Sequence, residues 1–405
     1  MRERELDGLT VLEVGNFIMA AYCGKMLADC GAEVIKVERR DTGDGCRRFG
    51  PFPGDTPNPE TSGLHLYLNA NKKSVTLDLE TPEGQQAARD LAGTVDVLVE
   101  DMPSGYLDRR GLGQATLRAA NERLLYTSIS PFGRTGPYKD YAAYDLQMWH
   151  GSAAGHRFFG EPDREPIWGA WYIASHYGAI NAAYAILAAL FARDLTGRGQ
   201  SIDISATDTI AALSTGCAWV ALYRQTGEYE KRTGNRQGSG PPTGLYLAKD
   251  GWIYIMTLAD HQWDGLVEAM GRPQWALDPS WRGHPNNRAP HAEKVFAGVD
   301  AWAKAHTVQE VFDACLKHSV PAAPVATAKD VHENAHLKAR GFFVEYEHPL
   351  AGRVKVPGGL VRGPDEGYPS PSPAPLLGQH VQEVLGSRLG YSPSKLADLK
   401  RRGIV

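Results

Sequence analysis

Short β-branched runs alternate with helix-like runs through the first 130 residues, the pattern of βαβ units laid on a parallel sheet. It predicts strands at 10–14, 33–37, 74–79, 95–99 and 124–130, with helices over 20–29 and 82–91. Thr81 would cap the second helix and Pro82 would take its first position, while Gly31 stops the first. A longer helix is expected over 171–193, closed by the turn TGRGQ and a strand at 201–205. It is apolar nearly all round, which predicts burial between the layers of a large domain.

Near residue 226 the pattern changes. KRTGNRQGSGPPTG is rich in Gly, Pro and Arg, and GLYLAKDGWIYIMTLAD reads as a hairpin turning at Asp250-Gly251. Strands and helices then mix until about 331, and GFFVEYEHPLAGRVKVPGGLV returns to short antiparallel strands. A proline-rich stretch, 369–375, leads to a helical tail. The division expected is a large α/β domain from 1–225 and 335–405 with a smaller α+β domain, 226–334, inserted between; a length of 405 residues suits two such cores. No internal repeat is found.

Composition narrows the function. Hydrophobic residues at 42%, charged residues at 22% and a net charge of -4 give no basis for nucleic-acid binding, so an anionic ligand must be met by a local basic patch. The five cysteines are odd in number, widely spaced and free of CxxC pairs, which points to reduced thiols in the cytoplasm. MRERELDGLTVLEVG has no run suited to a signal peptide, and the apolar stretch 179–192 is broken by Asn181, so neither export nor a membrane is expected. HExxH and Cys/His quartets are missing, and no metal is expected.

Glu38 ends the second strand where a ribose-binding acid sits in dinucleotide folds, but the preceding turn reads GNFIMAAYCG, with bulky residues in place of the glycines that let backbone approach a pyrophosphate. Basic pairs follow the early strands instead: Arg39-Arg40, Arg47-Arg48, Lys72-Lys73 and Arg109-Arg110. Such turns can assemble a site for a phosphorylated ligand outside the carboxyl ends of strands, or they can be solvated surface.

LDGLTVLEVG, LADCGAEVIKVERRDTGD, NANKKSVTLDLETPEG, VDVLVEDMPSGYLDRRGLG, LLYTSISPFGRTGPY, LTGRGQSIDIS and APLLGQHVQEVL occur in an order similar to that of the class III (CaiB/BaiF) coenzyme A transferases. The resemblance covers essentially the whole chain. It implies a Rossmann-like large domain built from both chain ends, a smaller inserted domain and two interlocked subunits. It also implies coenzyme A or acyl-CoA as substrate, with contacts carried by motif to Arg39, Leu77, Asp101, Met102 and Arg109. Glu80 and Ser130 depart from the family at positions where basic contacts occur.

The resembled family uses an aspartate near the start of the long helix, and counting back from TGRGQ lands on Ser175; no Asp or Glu occurs anywhere from Pro166 to Arg193. Serine is a weak replacement, because its acyl ester is more stable than a thioester and each ~1.4 kcal/mol of trapping costs about tenfold in rate. His176 follows Ser175, but adjacent helical residues point in different directions. Several readings stay open. In one, the chain is the non-nucleophile subunit of a heteromeric transferase, as in benzylsuccinate-type enzymes, and a homologous partner carries the aspartate. In another it acts alone as a homodimer, through an atypical nucleophile or a carboxylate such as Asp145, Asp163 or Glu165. A racemase or isomerase relative would carry histidine where Tyr144 stands, and a non-catalytic CoA-binding protein is the remaining alternative. Trp149, Trp168, Trp171 and Tyr172 flank the expected site, as packing residues or as a wall for an aromatic acid.

Overall fold

A computed structural model describes residues 4–157, 160–229, 231–236, 240–359, 361–362 and 367–405. The chain forms two compact units, one of Met1–Ala154, Gly169–Thr226 and Ala335–Val405, the other of Gly155–Trp168 and Gly227–Asn334.

The first unit is built on six parallel strands: β1 (Thr10–Val14), β2 (Glu33–Glu38), β3 (Lys72–Thr76), β4 (Val97–Glu100), β5 (Leu125–Ser130) and β6 (Ser201–Ser205). Their order, β3-β2-β1-β4-β5-β6, is the doubly wound order, with its switch point between β1 and β4. The principal helices are α1 (Met19–Asp29), α2 (Pro82–Ala92), α3 (Asp145–Gly151) and α4 (Ile173–Thr196). Side-chain alternation divides the sheet between two cores. Val11, Val34, Val97, Val99, Leu125 and Ile129 pack with α1 and α4. Leu12, Val14, Ile35, Val37, Val75 and Leu98 pack with α2 and with Val384, Leu385, Leu396 and Leu399 from the far end of the chain.

Thr81 accepts from Gly84 N and Pro82 opens α2, as expected. The third strand, expected over 74–79, instead runs Lys72–Thr76, because Asp78 O receives Thr81 N and Thr81 Oγ1 and turns the chain into α2. The long helix also departs from expectation: only one face is buried. Ala174, Gly178, Ala179, Ala182, Ile186 and Ala189 form that face, and a Cβ added at Gly178 would meet Ala206 Cβ at 3.0 Å. Ile180, Tyr184, Leu187, Phe191 and Leu195 lie exposed on the other side, Tyr184 and Phe191 at 73% and 70%. Among the described residues this is the one helix long and apolar enough to cross a membrane by length and composition alone.

In the second unit, β7 (Gly244–Leu247), β8 (Trp252–Ile255) and β9 (Ala322–Pro324) form an antiparallel sheet, with the β7–β8 hairpin turning at Asp250-Gly251. Trp263, Trp281, Val295, Val299, Val311 and Cys315 fill its core. Returning to the first unit, β10 (Phe343–His348) and β11 (Gly352–Pro357) form the second expected hairpin.

Candidate functional site

Ligands of open α/β sheets bind at the carboxyl ends of strands near the switch point. Here Asp101, just past β4, directs its carboxylate at the start of α1, accepting from Asn16 N at 2.7 Å and Ala20 N at 2.9 Å. A side-chain carboxyl group therefore occupies the helix terminus where a dinucleotide would place phosphate. A Cβ at Gly15 would meet Ala20 Cβ at 2.4 Å, so this turn is also sterically closed. Burial pushes the Asp101 carboxyl up to about 7, with the two backbone donors pulling the other way. Glu38 is equally committed, to both sides of the Arg47 guanidinium at 2.7 and 2.8 Å, to Asp44 N and to Ser74 Oγ. Burial would raise its pKa, but Arg47 and Lys36 bring it down to about 2.

The basic pairs divide within the fold. Lys72 is buried on Glu13 at 2.8 Å, beside Lys36, which bridges Glu13 at 2.5 Å and Asp44 at 2.7 Å. Lys73 bonds Glu33 and Glu383, and Arg47 bonds Glu38 and Glu60. Arg110 lies on the Tyr106 ring and pairs with Glu80. Arg40, Arg48 and Arg109 remain exposed, and Arg39, 74% exposed, pairs with Asp41 at 3.2 Å. Leu77 is buried and donates its N–H to Glu38 O. Met102 rests half-buried against the core. Ser130 is buried at the end of β5, its Oγ without a partner among the described residues.

Ser175 lies in the first turn of α4, where backbone N–H groups lack helical partners. Asp145 supplies one: its Oδ1 accepts from Ser175 N at 2.8 Å and Ser175 Oγ at 2.9 Å, and the two residues are 2% and 6% exposed. His176 forms no couple with Ser175. Its Nδ1 meets Tyr172 O at 2.7 Å and its ring stands edge-on to Tyr22. Phe17, Phe49, Trp171 and Tyr172 form an edge-to-face cluster before α4, with Phe17 and Tyr172 centroids 5.0 Å apart. Trp149 is buried. Asp163, Glu165 and Trp168 belong to the second unit, which also contains a cavity of about 500 Å³ lined by Leu258, Asp260, His284 and Asn286. No group of three or more His, Cys, Asp or Glu able to hold a metal ion occurs among the described residues.

Sequence reading overlooked Arg134 and Glu100. Glu100 ends β4 and Arg134 lies in the loop after β5, and together they bond the Met102 backbone. Arg134 falls inside SPFGRTGPY, but nothing in the spacing joins it to Glu100.

A doubly wound sheet with committed acids at its switch point and outward arginines in its turns defines an α/β protein whose first turn is not a dinucleotide cradle. The family model for CoA-transferase family III matches residues 6–381, and the chain belongs to that family. It is 34% identical to a succinyl-CoA--D-citramalate CoA-transferase of Chloroflexus aurantiacus, covering 99% of this chain and 98% of that one. It is 31% identical to a formyl-CoA:oxalate CoA-transferase of Afipia carboxidovorans, again over 99% and 98%. Among solved structures, a CAIB/BAIF family protein from Brucella suis superposes with a TM-score of 0.82 at 29% identity, over 96% of this chain and 100% of that one. The chain is thus an enzyme of a transferase family whose substrates are acyl-CoA thioesters.

Proposed function

We propose that this chain transfers coenzyme A between carboxylic acids as one half of a pair, with a homologous family subunit supplying the catalytic carboxylate. The carrying observation is at Ser175: no acid lies on the first turns of α4, and the neighbouring Asp145 is engaged by the Ser175 backbone and hydroxyl. In the proposed reaction the partner's carboxylate attacks the thioester to give a mixed anhydride and free thiolate. The thiolate attacks the enzyme-side carbonyl of the anhydride, releasing the first acid as its carboxylate and leaving an enzyme thioester, and the second acid reverses the sequence. Arg39, Leu77, Asp101, Met102 and Arg109 are the proposed coenzyme contacts of this chain. Asp101 would contribute its backbone, since its carboxylate serves the fold.

The exposed stripe of α4 supports a closely packed second subunit, because a contiguous apolar face on a long helix marks an interface. Residues 1–225 with 335–405 would form the coenzyme domain and 226–334 the inserted one, in a cytoplasmic enzyme. The relatives' names suggest succinyl-CoA or formyl-CoA as donor and a small carboxylic acid as acceptor.

A second reading, a homodimer in which Asp145 itself is the nucleophile, is favoured by that carboxylate standing 2.9 Å from Ser175 Oγ. Native mass spectrometry of the protein from its source tests both. Two different family-sized chains with transfer activity absent from either alone support the heteromer. A dimer of this chain with full activity, lost in Asp145→Asn, overturns it.

A further inference from the structure

We infer that Arg134 is a positioning residue for coenzyme binding, which with Glu100 clamps both backbone polar groups of Met102. The inference rests on the reading above that the turn after β4 meets coenzyme A. Met102 N donates to Glu100 Oε2 at 2.8 Å, and Met102 O accepts from Arg134 Nη2 at 3.1 Å. The same guanidinium binds Glu100 Oε1 through Nη2 and Ser128 Oγ through Nε, which closes the clamp. Glu100 and Ser128 are register partners on β4 and β5, so the two strands present these groups side by side. Arg134 is anchored at its own backbone, its N–H donating to both carboxylate oxygens of Asp203 on β6 at 3.0 and 2.9 Å.

The clamp lies mostly inside the protein: Glu100 is 2% exposed and the Arg134 side chain 22%. Next to it, Asp101 ties the turn to the start of α1. Three consecutive residues thus have their backbone or side-chain handles fixed to the start of α1 and, through Arg134, to β5 and β6, at the switch point where ligands of this sheet type bind. A turn held this way meets its ligand without an ordering cost. The planar fork of arginine reaches a carboxylate, a carbonyl and a hydroxyl together, a set that the single ammonium of lysine covers only in part.

The test is titration of Arg134→Met, Arg134→Lys and Asp203→Asn with coenzyme A itself, by calorimetry on protein shown folded by circular dichroism. Arg134→Met should weaken binding by about tenfold or more, with Arg134→Lys and Asp203→Asn losing less. In the assembled enzyme, KM for acyl-CoA should rise in parallel while kcat at saturation holds. If folded Arg134→Met binds as the parent does, or if kcat falls with KM unchanged, the role is overturned; should Arg134→Met not fold, the same criterion applies to Arg134→Lys and Asp203→Asn. Failure of the unsubstituted chain to bind coenzyme A would overturn the underlying reading itself, an outcome visible before any variant is made.

Discussion

Ser175 presents a hydroxyl that Asp145 holds by hydrogen bonding, and on the function proposed above it stands where a catalytic carboxylate would. Ser175→Asp would bring two carboxyl groups to about 3 Å, where like charges make one of them keep its proton to higher pH. The variant should form a hydroxylamine-sensitive enzyme thioester from acyl-CoA, faster as pH rises, and Asp145→Asn added to it should flatten that dependence. Absence of thioester at every pH, with coenzyme binding intact, would count against position 175. Two other side chains give opposing pH signatures. Burial presses the His65 imidazole down to about 3, so its contribution to stability is complete above about 6.5 and is lost as pH falls toward 3. Asp101, raised by burial to about 7, stabilises most at acid pH and loses that contribution as pH climbs from about 4 to 7. The two slopes, each at most about 1.4 kcal/mol per pH unit, oppose one another near pH 5 to 6. Urea unfolding of His65→Gln should therefore show stability falling with pH in that range, and Asp101→Asn should show it rising.

At the scale of elements, β1, β2, β5, β6, α1 and α2 were legible because β-branched alternation and a Thr-Pro cap are local signals. The polar positions within the strands were not. Lys72 was open to reading as solvated surface, yet it is buried with Glu13 and Lys36, each neutralised by a residue from a different strand. Lys36→Met would strand Glu13 and Asp44 with one cation fewer and should cost about 3–5 kcal/mol in urea unfolding. The opposite misreading concerns α4, whose all-round apolar character predicted burial that the chain provides on only one side. Tyr184→Glu and Phe191→Glu should abolish pairing in analytical ultracentrifugation while shifting the stability of the unpaired chain by no more than about 0.5 kcal/mol. Persistence of the pair in both variants would show that its contacts lie elsewhere.

Over the whole molecule, the motif order placed the expected coenzyme contacts on the turns following the strands. Which member of each basic pair serves the fold was hidden, because the choice depends on acids such as Glu38, Glu60 and Glu383 that approach from distant sequence. The Arg134 clamp was hidden for the same reason, since Glu100 and Met102 reach it across the sheet. The first unit is also discontinuous: Val384, Leu385, Leu396 and Leu399 pack beneath β1 to β4, and Tyr391 bonds Asp90 across the intervening sequence. On the ribosome, all the strands of the sheet and the whole of 227–334 emerge before those leucines do. The growing polypeptide must then carry a sheet face that α2 covers only in part for the time needed to translate more than a hundred further codons, and chaperones present during synthesis should bind it there.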